Sequence, residues 1–204
     1  PTDPIVPPPP TAPAVPVYRP EVGSYLSNQA AAVNMFQLSM HDRLGTPELD
    51  PQKLSDERLG SLWIRVNRTD TDYTGGKGQL DVDSDTSVLQ IGADLVHWGD
   101  DGRGIFGVMA GTGSNKNTTR SDLTGYSSKG EVDGTAVGVY GTWFANPTGE
   151  TGLYVDRWLQ YGRYDNSVQG EGLDEENYDS RTMAGSIEAG YSWKVFSNET
   201  TRVY

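Results

Sequence analysis

The chain has 204 residues, 35% of them hydrophobic, with a formal net charge of −12 and no cysteine. The scattered acidic excess leaves no basic patch for nucleic acid, and the lack of thiols removes disulfide scaffolds, thiolate zinc sites and cysteine nucleophiles. No run approaches the roughly 20 consecutive apolar residues of a spanning helix, yet a mean hydropathy of −0.57 leaves a membrane barrel open, because its strands alternate lipid-facing and lumen-facing side chains.

Proline recurs from Pro1 to Pro20, with Pro7 to Pro10 in a row. Proline fixes φ and removes backbone donors, so this stretch is expected to be an extended polyproline spacer. Residues 1–22 read as a linker between two modules rather than as a ligand for a proline-binding domain. Pro1 to Pro10 contain no charged segment followed by an apolar one, which places any secretory signal upstream in a longer precursor.

Residues 23–45 change character. Ser27 is a candidate N-cap, Ala30, Ala31 and Ala32 favour helix, and Gly45 followed by Pro47 is a stop signal, which together predict one helix of about 17 residues. Ala30, Asn34, Gln37 and Met40 to His41 give it a small or polar face, while Val33, Phe36, Leu38 and Leu44 form no single apolar stripe. A helix enclosed by a mixed wall needs none.

Residues 59–204 alternate with period 2, in about six strands, with Arg202 to Tyr204 as a candidate start of a seventh. Leu62, Ile64 and Val66; Leu89, Ile91, Ala93 and Leu95; Phe106, Val108 and Ala110; Val137, Val139 and Trp143; Leu153, Val155, Leu159 and Tyr161; and Ile187, Ala189, Tyr191 and Trp193 fall on one face. Short turns at Gly99 to Gly104, Asn146 to Glu150 and Ser197 to Thr200 contrast with long polar segments, expected to be loops, at Thr69 to Thr86, Ser114 to Gly130 and Asp165 to Arg181. Short turns at one end and long loops at the other mark an outer-membrane barrel. Trp98, Trp143 and Trp193 near the short turns suit a membrane interface. The alternative is a soluble antiparallel sandwich with ordinary core aromatics. Arg157 breaks the pattern, since parity sets it on the apolar face, where it must lie near an interface or snorkel.

The opposite face, expected to line the pore lumen, carries Arg65, Gly92, Asp94, Gly107, Gly111, Gly138, Tyr140, Asp156, Gly162, Glu188 and Gly190. Repeated glycine implies that something approaches this wall closely, and the Ala-rich helix is the candidate. Carboxylates here can be solvated or hydrogen-bonded to that helix, which a lipid-facing position would not allow.

Together, VYRPEVGSYLSNQAAAVNMFQLSMHDRLG, LWIRV, VDGTAVGVYGTWFANP, GLYVDRWLQYGRYDN and SIEAGYSW resemble the autotransporter β-domain family, most closely its adhesin and pertactin-like branch of type V secretion. The resemblance covers almost everything from Val17 to Trp193. It implies an all-β, antiparallel, twelve-stranded transmembrane barrel with a helix in its pore. It further implies a Gram-negative outer-membrane location, an N-terminal passenger that is secreted or displayed, and contact with outer-membrane lipid. The chain departs from the family by ending after about half the barrel. A half barrel leaves two open edges that lipid does not tolerate, so a shortened form or an assembly intermediate is expected, its edge paired with the outer-membrane barrel assembly machinery.

Some relatives cleave themselves through an Asn in the pore helix. Val33 and Asn34 match the start of that pattern, but Met35 stands where a second Asn would be. Asn34, assisted by Asp94, Asp156 or Glu188, is the candidate cleavage residue, and the alternative is that Asn34 hydrogen-bonds the wall. His41 and His97 have no triad spacing, and DVDSDT at Asp81 to Thr86 lacks the glycine and glutamate of a calcium loop, so a solvated loop is expected there. No metal and no cofactor are implied.

Overall fold

The computed structural model describes residues 16–44, 62–99, 103–146 and 151–193, and the backbone of 196–197 and 202–203. Helix α1 spans Pro20–Asn34 and α2 Met40–Leu44. Six long strands follow, β1 Leu62–Gly75, β2 Leu80–Trp98, β3 Arg103–Ser121, β4 Ser127–Phe144, β5 Gly152–Gly170 and β6 Glu176–Ser192. They form one antiparallel sheet in sequence order, and the short β7 Phe196–Ser197 and β8 Arg202–Val203 pair separately. The Pro-rich stretch before Pro16 lies outside the described residues.

The helical segment differs from the single helix expected over residues 23–45. It starts three residues earlier because Pro20 occupies the first helical turn behind an extended Arg19, where a fixed φ and a missing N–H cost nothing. Ser27 is therefore not the cap but a buried residue inside α1. The helix stops at Asn34 because the wall captures the carbonyls that would continue it. Phe36 O accepts from Gln90 Nε2 at 3.1 Å and Gln160 Nε2 at 3.0 Å, and Leu38 O accepts from Trp158 Nε1 at 2.9 Å. Helix α2 restarts through a reciprocal cap: Asp42 Oδ2 accepts from Ser39 N at 2.7 Å, while Asp42 N donates to Ser39 Oγ at 3.3 Å.

The polar segments expected to be long loops are instead strand. DVDSDT lies within β2, whose Asp81, Asp83 and Asp85 pair with Arg120, Thr118 and Lys116. Backbone ladders need no apolar side chains, so pairing continues after the hydropathy alternation ends. Tight hairpins close these ends; at Gly76, Lys77 and Gly78 all three φ values are positive, and Gln79 N returns to Gly75 O at 3.1 Å.

Register rows show how the outward face is layered. Ile64, Ile91, Ala110, Val137, Tyr161 and Met183 form one row, and Leu62, Ala93, Val108, Val139, Leu159 and Gly185 the next. Nearer the hairpins, Arg68, Ser87, Ser114, Asp133, Asp165 and Asp179 form a polar row. The apolar belt is exposed at Ile64, Ile91, Val137 and Ile187, and Trp98, Trp143 and Trp193 stand outward at its short-turn edge. Arg157 also points outward, two outward positions beyond Leu153 at the start of β5, with Gly141 and Ile187 as partners.

Candidate functional site

The inner face of the sheet is a seat for residues 20–43. Near the hairpin end, α1 turns Gly23, Ser24, Ser27, Asn28, Ala31 and Ala32 to the wall. These are small side chains, so helix and strands approach closely and polar atoms meet. Ser24 Oγ lies 2.7 Å from Ser128 Oγ, and Asn28 Nδ2 donates to Ser167 O at 3.0 Å while Asn28 Oδ1 accepts from Asn117 Nδ2 at 2.7 Å. Gly23 and Gly130 are required here, because a Cβ on either would fall 2.5 Å from Thr119 or Asn28. Tyr25 donates to Glu176 at the start of β6, and this bond pushes its phenol up to about 12. The chain before α1 stays at the same end, where Gln79 Nε2 donates to Pro16 O at 2.9 Å.

Below this polar contact the seat becomes apolar. Met35 and Phe36 pack with Val88, Val132, Ala136 and Tyr164, and Leu38 and Met40 with Trp63, Ile105, Met109, Tyr140, Phe144 and Trp158. The lowest layer holds a buried ionic hub. Arg43 pairs with Asp156, their side chains 0% and 2% exposed, and Thr142 Oγ1 donates to the same carboxylate at 2.5 Å. The Arg43 guanidinium sits 4.2 Å from the Tyr140 ring centroid. The Tyr140 hydroxyl donates to Asp94 Oδ1 at 2.7 Å and accepts from Trp63 Nε1 at 3.0 Å, while His97 Nε2 lies 3.3 Å from Asp94 Oδ2. Arg65 completes the grip, donating to Gln90 Oε1 at 2.7 Å and meeting Asp42 at 3.5 Å.

The sequence signature of the autotransporter beta-domain family matches residues 62–203. The chain belongs to this family. It is 40% identical over 196 residues to the uncharacterized protein YdeU of Escherichia coli strain K12, a match covering 95% of this chain and 42% of that protein. Over 180 residues it is 30% identical to the autotransporter adhesin AIDA-I of Escherichia coli, covering 87% of this chain and 14% of the adhesin. The crystal structure of the AIDA-I transport unit matches it with a TM-score of 0.76 at 30% identity, over 88% of this chain and 55% of that one. The chain thus spans less than half the length of these curated relatives.

In this autotransporter β-domain, Arg65, Gly92, Asp94, Gly107, Gly111, Gly138, Tyr140, Asp156, Gly162, Glu188 and Gly190 all lie on the face that carries the helix. The reason for the glycines is different from the expected one. A Cβ at Gly92, Gly107 or Gly190 would strike the rings of Trp63, Tyr140 or Tyr154, each the register partner of that glycine on the next strand. At Gly138 the side chain in the way is Gln160, and at Gly162 it is Tyr164; of these six, only Gly111 also meets the helical segment, through Phe36, whereas Gly113, Gly130, Gly134 and Gly170 elsewhere on this face do meet it. Neighbouring strands fill the gaps because a ring laid flat over an opposing glycine is buried without crowding the pleat.

The proposed cleavage group is not brought together. Asn34 is exposed and bonded within its own segment, donating to Ala30 O at 2.9 Å and accepting from Gln37 Nε2 at 3.1 Å. Among the described residues it makes no hydrogen bond to the wall. Asp94 and Asp156 are engaged in the hub, and Glu188 accepts from the Tyr154 hydroxyl at 2.9 Å. Sequence reasoning passed over Arg43, Asn28, Gln90 and Gln160, which make the contacts that hold the helical segment. The available signal was their parity: both glutamines fall on the glycine-bearing face of their strands.

Proposed function

We propose that this chain is the translocator and anchor of an outer-membrane autotransporter, carrying or displaying a passenger that precedes residue 1. The outward apolar belt, with a helix seated on the opposite polar face, carries the reading: one side suits lipid and the other a wet lumen. Residues 16–19 leave α1 at the hairpin end, beyond the belt, which is where a passenger on the cell surface would attach. The outer edges of β1 and β6 are unpaired among the described residues. In lipid such edges must be closed by further strands of the same barrel and, during folding, by a strand of the barrel assembly machinery. The hydrogen bonds from Gln90, Gln160 and Trp158 to the helical segment support its role as a plug and tether.

A cysteine-free chain makes the test clean. Single cysteines at Asp83 and Ile91 are probed in intact Gram-negative cells with a membrane-impermeant thiol reagent. Labelling at Asp83→Cys with protection at Ile91→Cys, and recovery with outer membranes only in detergent, is the expected result. A water-soluble chain labelled equally at both positions would hand the case to a soluble β-module.

A further inference from the structure

The outward face carries a second feature, just past the apolar belt. Tyr161 and Met183 are the last apolar outward residues of β5 and β6, and the next outward position on each strand is an arginine, Arg163 and Arg181. The two are direct register partners. Like charges opposite one another destabilise a sheet, and neither guanidinium has an ion-pair partner among the described residues. They line an open hollow of about 440 Å³ whose near wall offers the hydroxyls of Thr112 and Thr135. One outward row farther from the belt, the rim is Asp133, Asp165 and Asp179.

We propose that Arg163, Arg181 and this hollow bind the phosphate of a membrane-lipid headgroup, a site that rests on the membrane-spanning reading above. Depth supports the assignment. Two residues along a strand are about 6.6 Å, so both guanidiniums stand at the headgroup level immediately beyond the hydrocarbon belt. Two arginine forks match phosphate oxygens in geometry and charge, and a phosphate between them removes their mutual repulsion. The acidic rim and a net charge of −12 give a free anion no long-range attraction. A phosphate held at this depth by its own acyl chains needs only the local pair. The source is therefore lipid rather than dissolved phosphate.

The test uses the protein extracted from outer membranes in a mild neutral detergent, titrated with a bis-phosphorylated glycolipid, with its dephosphorylated form and with inorganic phosphate. Saturable binding of the phosphorylated lipid is expected to weaken about tenfold or more in R163Q/R181Q. It should weaken less in R163K/R181K, which keeps both charges but loses the forks, and persist in R120Q, which removes an outward charge near the hairpin end. Equal affinity in R163Q/R181Q, or an equal loss in R120Q, would overturn the site. Competition by inorganic phosphate at similar concentration would overturn the lipid source. Lipid-free melting separates a folding defect from a binding defect, with R163K/R181K as the folded comparison. A wild-type chain absent from the membrane fraction would refute the membrane reading itself, a result distinguishable from loss of this site alone.

Discussion

Replacing Asp156 by leucine leaves the Arg43 guanidinium in a pocket where its side chain is fully buried and its carboxylate partner is gone. Removing one member of a buried pair costs about 3–5 kcal/mol, and the cation over the Tyr140 ring at 4.2 Å does not replace a carboxylate, since such contacts contribute about 2 kcal/mol when desolvated. Arg43→Met should lose a similar amount by stranding the Asp156 carboxylate with only the Thr142 hydroxyl. The double variant Arg43→Met/Asp156→Leu behaves differently. It removes both charges together with Arg43 Nε and Nη1, which are buried without hydrogen-bond acceptors among the described residues, each an expense of about 1–3 kcal/mol. It should therefore fall within about 1 kcal/mol of wild type, giving a coupling energy of about 5 kcal/mol or more between the two positions. Urea titration in detergent, followed by fluorescence of Trp63 and Trp158 beside the hub, measures all four proteins. Additive losses in the double variant would refute the hub as a coupled pair and leave Arg43 as a packing residue.

Three further outcomes follow from the geometry. Gly107→Val should cost about 1–3 kcal/mol, because its Cβ would lie 2.3 Å from Tyr140 and 2.6 Å from Ala93 O; Gly141→Ala, with nothing closer than 3.6 Å, should change the melting midpoint little. The Tyr25 phenol titrates near 12 when bonded to Glu176 and near 10 when unfolded. Its raised folded value means the bond's contribution is complete below pH 10 and disappears as pH rises towards 12; Tyr25→Phe should lose this alkaline dependence in a proteolysis assay of α1. Finally, the chain should remain intact at Asn34 on prolonged incubation, and a fragment mass corresponding to cleavage after Asn34 would contradict the hydrogen bonding seen there.

The outward face was legible because exposed apolar residues such as Leu89, Ile91 and Val139 impose strict period 2, and even Arg157 kept the side that parity assigned it. Above the belt this signal vanishes: Asp81, Asp83 and Asp85 are solvated on one face while Val82 and Ser84 turn inward, so a strand composed of loop-like residues read as loop. The helix start was misplaced because Ser27 has the composition of a cap, whereas Pro20 determines the first turn. The helix end was hidden because its cause is tertiary, two glutamines and a tryptophan distant in sequence taking the carbonyls of Phe36 and Leu38. The hub escaped notice for a related reason. Arg43 gains meaning only when the sheet delivers Asp156 beneath it, and no spacing along the chain encodes that meeting.

The extension of β2 past the belt, from Leu80 to Ser87, has a mechanical consequence. Eight residues of paired strand rise about 26 Å along their own axis, or about 20 Å past the apolar belt at a usual barrel tilt. Because neighbouring strands share this rise, it forms a stiff collar rather than a set of waving loops. As the proposed translocator, the chain would hand whatever is joined to Pro16 over at this raised platform, where Gln79 at the hairpin tip holds the Pro16 carbonyl.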